Sequence, residues 1–429
     1  MVVVLNYIYT AKYLVSANAP PIEAGALLVQ GGRIARVATL KEIKRNNPGV
    51  KIVDFHAALL VPLLVNAHTH LELTDFGLWA ELAGEVAPPE NFVDWILCLI
   101  RIKRKLSEKQ YQLSLSHGIA QSLASGTGAV GDILAHHSAR NLYLSSPLLG
   151  SLFLETLGQD PTVVHQLRNE LKEALKDDVV GSVKLGVSPH SPYTISTNYL
   201  KSVYRYCQQQ KIRCTTHVAE SAEEVEFVEW SKGDLASRLY PQIGWENYLP
   251  HPSGLRPVEY LRQQGGLFPE NLLVHGVQLN DAEIQLLAER QMRLVLCPRS
   301  NAKLNLGKAP AGKLQRAGVK LALGTDSLAS CDSLSIWDEM TFAQHWFGTE
   351  LDAPTLFNMA TQGGAEALGI ENEMGSLEAG KLASFQILQP KTTVAIDSIF
   401  DYFVSSGCTD DIAQVYHSGK KLPFVNPSP

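Results

Sequence analysis

The sequence predicts an α/β protein, a (β/α)8 TIM barrel carrying a small β-sandwich built from both chain ends. Three observations carry this prediction. Eight short β-branched runs alternate with longer amphipathic stretches through the middle of the chain, and the two ends share a style of short strands and tight turns. Most of the eight runs also release a polar, chemically active side chain at or just past their C-terminal end.

Residues 1–60 contain Ala26-Leu-Leu-Val-Gln, then Gly31-Gly-Arg before Ile34-Ala-Arg-Val, then Lys51-Ile-Val-Asp-Phe. A Gly-Gly pair between two alternating runs is a hairpin signal, so this segment reads as a small β module. It cannot close a core alone. The missing half is expected from residues 376–429, where Leu382-Ala-Ser-Phe-Gln-Ile-Leu, Val394-Ala-Ile and Ile412-Ala-Gln-Val-Tyr-His-Ser-Gly-Lys repeat the pattern. The expected domains are therefore 1–60 with 376–429 as the composite sandwich, and 61–375 as the barrel.

The barrel runs are Pro62 to Ala67, Gly128 to Leu134, Ser151 to Thr156, Val183 to Val187, Arg213 to Thr216, Asn271 to Val274, Arg293 to Leu296 and Lys320 to Leu323. Segments between them, such as Leu200 to Gln210, Asp281 to Arg290 and Leu314 to Gly318, have helical spacing and end in polar residues or glycine. Eight βα units in roughly 300 residues argue for a closed barrel over an open doubly wound sheet. The run ends read His68 and His70, Asp132, Glu155, His190, His217, His275, Cys297 to Asn301, and Asp326. Barrels of this kind build their active sites there.

Composition narrows the function further. With 429 residues, 45% hydrophobic and 19% charged, the chain can bury one large core and a satellite domain. A formal charge of -6, scattered along the chain, leaves no basic stripe for nucleic acid and no polybasic run for a membrane, and no stretch is apolar for long enough to span a bilayer. Six cysteines (Cys98, Cys207, Cys214, Cys297, Cys331, Cys408) lie far apart without a CxxC pair, which fits reduced thiols in a cytoplasmic protein. The apolar N-terminus lacks a basic flank and soon meets Lys12, so a first strand is expected there and not a signal peptide.

His68-Thr69-His70 closes the apolar run that begins at Val61. Two imidazoles at i and i+2, where a strand gives way to loop, can both turn toward one ion. His217 follows Arg213-Cys-Thr-Thr, and Asp326 follows Leu321-Ala-Leu-Gly-Thr. Three imidazoles and one carboxylate from three strands form a donor set for one divalent transition metal, with a position left for water; zinc is the first assignment and iron the second. Glu220, three residues after His217, can return to the metal from a first helical turn as general base and then general acid, while Glu223 and Glu224 fit glutamates that favour the helix dipole. His275 ends a strand but is one ligand too many for a single ion, so it is expected to orient the water or stabilise charge on the substrate. His190, in Ser188-Pro-His-Ser-Pro-Tyr193, is a candidate substrate contact at a rigid turn. His136 and His137 lack a matched partner and read as surface. Two long segments lie over the mouth, Glu72 to Cys98 with Trp79, Phe92 and Trp95, and Ser231 to Tyr260 with Tyr240, Trp245 and Tyr248. Their flat side chains suit a planar heterocycle.

Asn66-Ala-His-Thr-His70, His217-Val-Ala-Glu220, His275-Gly-Val, Cys297-Pro-Arg-Ser-Asn301, Gly324-Thr-Asp-Ser327 and Gly375-Ser-Leu-Glu-Ala-Gly-Lys381 follow one another in a set order. As a set they resemble the amidohydrolase superfamily, in particular its metal-dependent aminohydrolases. That branch holds the S-adenosylhomocysteine and methylthioadenosine deaminases, aminodeoxyfutalosine deaminases, guanine and cytosine deaminases, and triazine hydrolases. The resemblance spans nearly the whole chain and implies His68, His70, His217 and Asp326 as ligands, with Asp326 also in the catalytic set beside Glu220 and His275. It further implies Ser300 and Asn301 near the substrate, with hydrolytic deamination as the reaction. The loop style of His70-Leu-Glu-Leu and Arg256-Pro-Val-Glu-Tyr makes Glu72 a substrate-binding candidate and aminodeoxyfutalosine and S-adenosylhomocysteine types the leading substrates. Hydrolysis of an amide or a chloro-substituted ring uses the same chemistry and stays open, as does, more remotely, a barrel turned scaffold. Barrels of this family often pair as homodimers. Deaminases that edit nucleic-acid bases pair an H-x-E with a CxxC, and no CxxC occurs in the sequence.

Overall fold

The computed structural model describes residues 6–85, 91–177, 179–405 and 408–423. Eight strands pair in parallel and in chain order: Leu64–Thr69, Thr127–Leu134, Leu149–Thr156, Val183–Pro189, Cys214–Val218, Asn271–His275, Arg293–Leu296 and Lys320–Leu323. The seam between the last and the first is drawn together by a parallel bridge of Thr69 to Asp326, where the Asp326 N–H donates to the His68 carbonyl at 3.1 Å. Closure therefore falls on the residues the sequence singles out. Helices cover the outside, so the strands are buried on both faces; Thr127–Leu134 is buried at every position.

The helical spacings are equally direct. Thr197–Gln210 buries Tyr199, Leu200, Val203, Tyr204 and Cys207, one stripe at the period of a helix, and ends on Lys211 in the left-handed region. Phe92–Lys103 starts at Asn91, whose side chain accepts the Asp94 N–H at 3.0 Å.

Both chain ends share one six-stranded sheet, ordered Lys420–Lys421, Ile412–His417, Phe385–Leu388, Leu59–Pro62, Tyr13–Ser16 and Ala19–Glu23. It faces a four-stranded sheet of Arg33–Thr39, Gly25–Gln30, Tyr7–Thr10 and Lys51–Asp54. Tyr9, Leu14, Leu27, Leu60, Phe385 and Tyr416 fill the space between them, with the Phe385 and Tyr416 rings stacked at 4.6 Å. Gln386 ties this layer to the barrel: its Nε2 donates to the Pro62 carbonyl at 3.0 Å, and its Oε1 accepts from Trp337 Nε1 at 3.2 Å.

Two sequence expectations are revised. The run read as one strand from Pro62 to Ala67 is divided at Leu63, with Leu59–Pro62 in the terminal sheet and Leu64–Thr69 in the barrel, because each half meets a different neighbour. Val394-Ala-Ile forms no strand and leads into the short turn Ile396–Ser398, at the surface with no edge to pair. The six cysteines are buried. Among the described residues no helix is long and apolar enough to cross a membrane.

Candidate active site

The C-terminal ends of the strands open into a cavity of about 530 Å³, with His70, His217, His275, Glu220 and Asp326 at its floor. The donor atoms of His68, His217 and His275 lie within 4.8 Å of one another, as do those of His68, His70 and Asp326. Asp326 Oδ1 is 3.5 Å from His68 Nε2 and 3.6 Å from His70 Nε2, and the Nε2 atoms of His70 and His217 face each other at 3.4 Å. His68 Nε2 and His275 Nε2 are buried without a hydrogen-bond partner. Such lone pairs, aimed at a common point out of reach of water, are costly unless an ion joins them. The donor set fits a divalent transition metal.

Neighbouring groups aim His217, His275 and Asp326. His217 Nδ1–H donates to the His190 carbonyl at 2.7 Å, and His275 Nδ1–H donates to Asn301 Oδ1 at 2.9 Å, so each presents a bare Nε2. Ser300 and Ser330 hydroxyls both donate to Asp326 Oδ2 at 2.7 Å, which leaves Oδ1 for the histidines. Asp326 and His275 adopt left-handed backbone conformations, at φ 60° and 74°, a strain that the surrounding bonds must offset. Gly324 admits the close approach of the seam, because a Cβ there would sit 2.8 Å from both His68 Cβ and its carbonyl oxygen.

Burial sets the charges. It lowers His68 and His217, and it brings His70 down to about 3, so these imidazoles are neutral, as metal ligands must be. Burial by itself would raise Asp326, but the His68 and His70 rings, 3.5 and 3.6 Å from its Oδ1, hold the carboxyl well below the usual carboxylate range. Glu220 is pushed up to about 8, first by burial and then by the Asp326 charge. Its Oε1 is 3.5 Å from His275 Nε2.

Several residues sit differently from the sequence reading. Glu220 lies before its helix, not in the first turn: Ser221 is the N-cap of Ala222–Trp230. Glu224 is fully buried and accepts the N–H groups of Ala219 at 2.9 Å and Glu220 at 2.8 Å, so it fixes the backbone that carries Glu220. Ser221-Ala-Glu-Glu224, a capping-box pattern, was the available signal. Ser300 and Asn301 do not line the cavity; they stand behind it, on Asp326 and His275, because Pro298–Lys303 turns them toward the barrel. Glu72 is also behind the wall, accepting from the His136 N–H at 3.1 Å and lying 3.2 Å from its Nδ1. His136 is half-buried and lines the cavity, against the surface reading, and His137 Nε2–H donates to the Glu155 carbonyl at 2.9 Å. His190 does face the cavity, held by Glu155 at 2.6 Å. Of the loop aromatics, Phe92, Trp95 and Trp245 line it, while Trp79 packs on Tyr111 and Tyr240 is buried behind Tyr193. Asp132 holds the histidine loop from below: it accepts from the Leu71 N–H at 2.8 Å and the Tyr143 hydroxyl at 2.7 Å.

A parallel barrel closed over a histidine and aspartate donor set defines a class, and the comparisons agree with it. The amidohydrolase family model matches residues 59–422. A 5-methylthioadenosine/S-adenosylhomocysteine deaminase of Nitratidesulfovibrio vulgaris is 31% identical over 371 residues, 84% of this chain and 77% of that one. A 5'-deoxyadenosine deaminase of Methanothermobacter thermautotrophicus is 30% identical over 390 residues, 87% and 83% of the two chains. Among solved structures, Helicobacter pylori aminofutalosine deaminase in complex with methylthio-coformycin superposes with a TM-score of 0.85 at 24% identity, covering 97% of this chain and all of that one. This chain belongs to the amidohydrolase family. It is a hydrolase acting on carbon–nitrogen bonds.

Proposed function

We propose that the protein is a zinc-dependent deaminase that hydrolyses the amino group from an N-heterocycle, with the adenine ring of a nucleoside-type molecule as its substrate. The observation that carries this reading is the meeting of His68, His70, His217 and Asp326 with Glu220 on the floor of one aromatic-walled cavity. The names of the relatives, deaminases of 5-methylthioadenosine, S-adenosylhomocysteine and 5'-deoxyadenosine, support the choice of adenine.

Those four side chains would hold one ion; zinc suits three imidazoles and a carboxylate best, with iron second. An ion held there would supply a water acidic enough to react at neutral pH. Glu220 takes the proton of the attacking water and delivers it to the ring nitrogen beside the carbon that bears the amine. As that carbon becomes a carbonyl, the second proton of the water passes from its hydroxyl to the amine, which leaves as ammonia. A carboxyl poised near 8 can both accept and return a proton at neutral pH. His275, anchored by Asn301, keeps its bare Nε2 at the reacting centre and steadies developing charge. Asp326 would help hold the ion and steer the reacting water, and His190 meets the substrate from the wall.

The test is ammonia release by zinc-loaded protein across adenine nucleosides, guanine and cytosine. Release from an adenine nucleoside is the expected result. Silence across the panel with metal bound would overturn the deaminase reading in favour of amide or chloro-ring hydrolysis.

A further inference from the structure

Two neighbouring helices on the outside of the barrel, Pro161–Ala174 and Thr197–Gln210, enclose a hollow of about 190 Å³ that shares no lining residue with the active-site cavity. Arg168 and Lys172 line it from the first helix, one turn apart, and Arg205 and Gln209 line it from the second at the same spacing. Lys172 Nζ stands 5.6 Å from the centre of the Tyr206 ring, a contact that draws the ammonium toward the second helix. None of these three cations has an ion-pair partner among the described residues.

Charge is sorted so that the hollow stays free of acids. Glu170 and Glu173, on the first helix, line a separate hollow with His137 and Arg140, and they are engaged there by Gln166 Nε2 at 2.7 Å and Lys176 Nζ at 2.5 Å. The second helix contains no aspartate or glutamate from Thr197 to Gln210. Like charges one turn apart, Arg168 with Lys172 and Lys201 with Arg205, disfavour the helices that carry them. Acids outnumber bases in the chain by 43 to 37, yet none of the described ones is placed to relieve this spot.

We propose that the hollow is a second ligand site, for the phosphate group of a small soluble molecule, either inorganic phosphate or a phosphate monoester. It lies apart from the barrel mouth, so the inference goes beyond the deaminase reading and does not depend on it. A phosphate group carries close to two negative charges at neutral pH and presents three strong acceptor oxygens. The guanidinium forks of Arg168 and Arg205, one from each helix, suit pairs of those oxygens, and Lys172 adds a point charge. Gln209 brings a neutral amide donor, whereas the Ser202 hydroxyl is already spent on the Tyr199 carbonyl at 2.8 Å. A carboxylate, with one charge, would leave the cations mostly uncompensated. The hollow is also little more than a third of the active-site cavity, about 190 against about 530 Å³, so recognition falls on the anion and not on the group attached to it.

Calorimetry of the zinc-loaded protein at constant ionic strength, with inorganic phosphate, ribose 5-phosphate and acetate, tests the site. One phosphate or sugar phosphate per chain is expected to bind at least about 10-fold more tightly than acetate. Arg168→Gln and Arg205→Gln should each raise Kd by about 10-fold, Arg205→Lys by less, and the two Gln substitutions together should abolish the isotherm. Both arginines are exposed, so these variants should fold, which unchanged melting without ligand would verify. Whichever of the two phosphates binds more tightly identifies the ligand as the free ion or the ester. Acetate binding as well as phosphate, no affinity for either phosphate, or binding only to a polyanion such as heparin would overturn the proposal. So would phosphate binding that is unchanged in the double variant, because the anion would then sit on the zinc of the active site.

Discussion

The donor atoms on the cavity floor are aimed by groups packed behind them. Asn301 turns His275, the His190 carbonyl turns His217, two serines divide the Asp326 oxygens, and Glu224 sets the backbone of Glu220. Glu220 itself is the proton carrier in the proposed reaction. Glu220→Gln is expected to keep its metal and lose ammonia release by about 10²- to 10⁴-fold, read by steady-state assay beside metal content; near-normal turnover would end the role. His68→Ala removes a nitrogen that has no other partner in the fold. Its bound metal should fall well below one ion per chain by elemental analysis, and unchanged content would refute the ligand assignment. The residues that face the floor were legible because they end strands in a recognisable order. That Glu72, Ser300 and Asn301 stand behind the cavity wall was not legible, since which side of a loop a side chain faces depends on the element packed against it, not on its neighbours in the chain.

At the scale of elements, the first barrel strand and the loop after it are held from beneath by Asp132 on the second strand. Burial raises the Asp132 carboxyl to about 8. Because its folded pKa lies above the unfolded value, the fold keeps a proton that the unfolded chain releases, and this group's contribution to stability declines as pH rises from about 4 to 8. Asparagine does not titrate and can keep both hydrogen bonds. The stability of Asp132→Asn relative to the parent should therefore climb with pH across that window, by at most about 1.4 kcal/mol per unit. Urea unfolding at pH 5 and pH 7.5 reads the difference, and a gap that does not change with pH would show that Asp132 is ionised in the fold. The run from Val61 to Ala67 makes a related point. Its apolar residues announce buried strand, but the break at Leu63 comes from pairing with Phe385–Leu388, more than 300 residues later in the chain.

For the whole molecule, the metal site and the closure of the barrel coincide. His68, Thr69 and Asp326 join the first and last strands, so an ion held by His68 and Asp326 would bind across the seam. An ion bound by the folded chain alone adds about 4 kcal/mol of stability at a thousand times its Kd. Chelation should lower the Tm, and added zinc should restore it; identical melting with and without metal would separate the site from the stability of the barrel.

Periodicity and the order of strand-end residues were enough to read an eightfold βα barrel, its family and its floor residues from the chain alone, because those signals are local and repeat. The cavity wall needed the fold. His136 looked like surface, and Glu224 looked like a dipole glutamate. Each takes its place from the packing of segments distant in sequence, which sets the direction of a side chain and the water around it, and neither is written in local spacing.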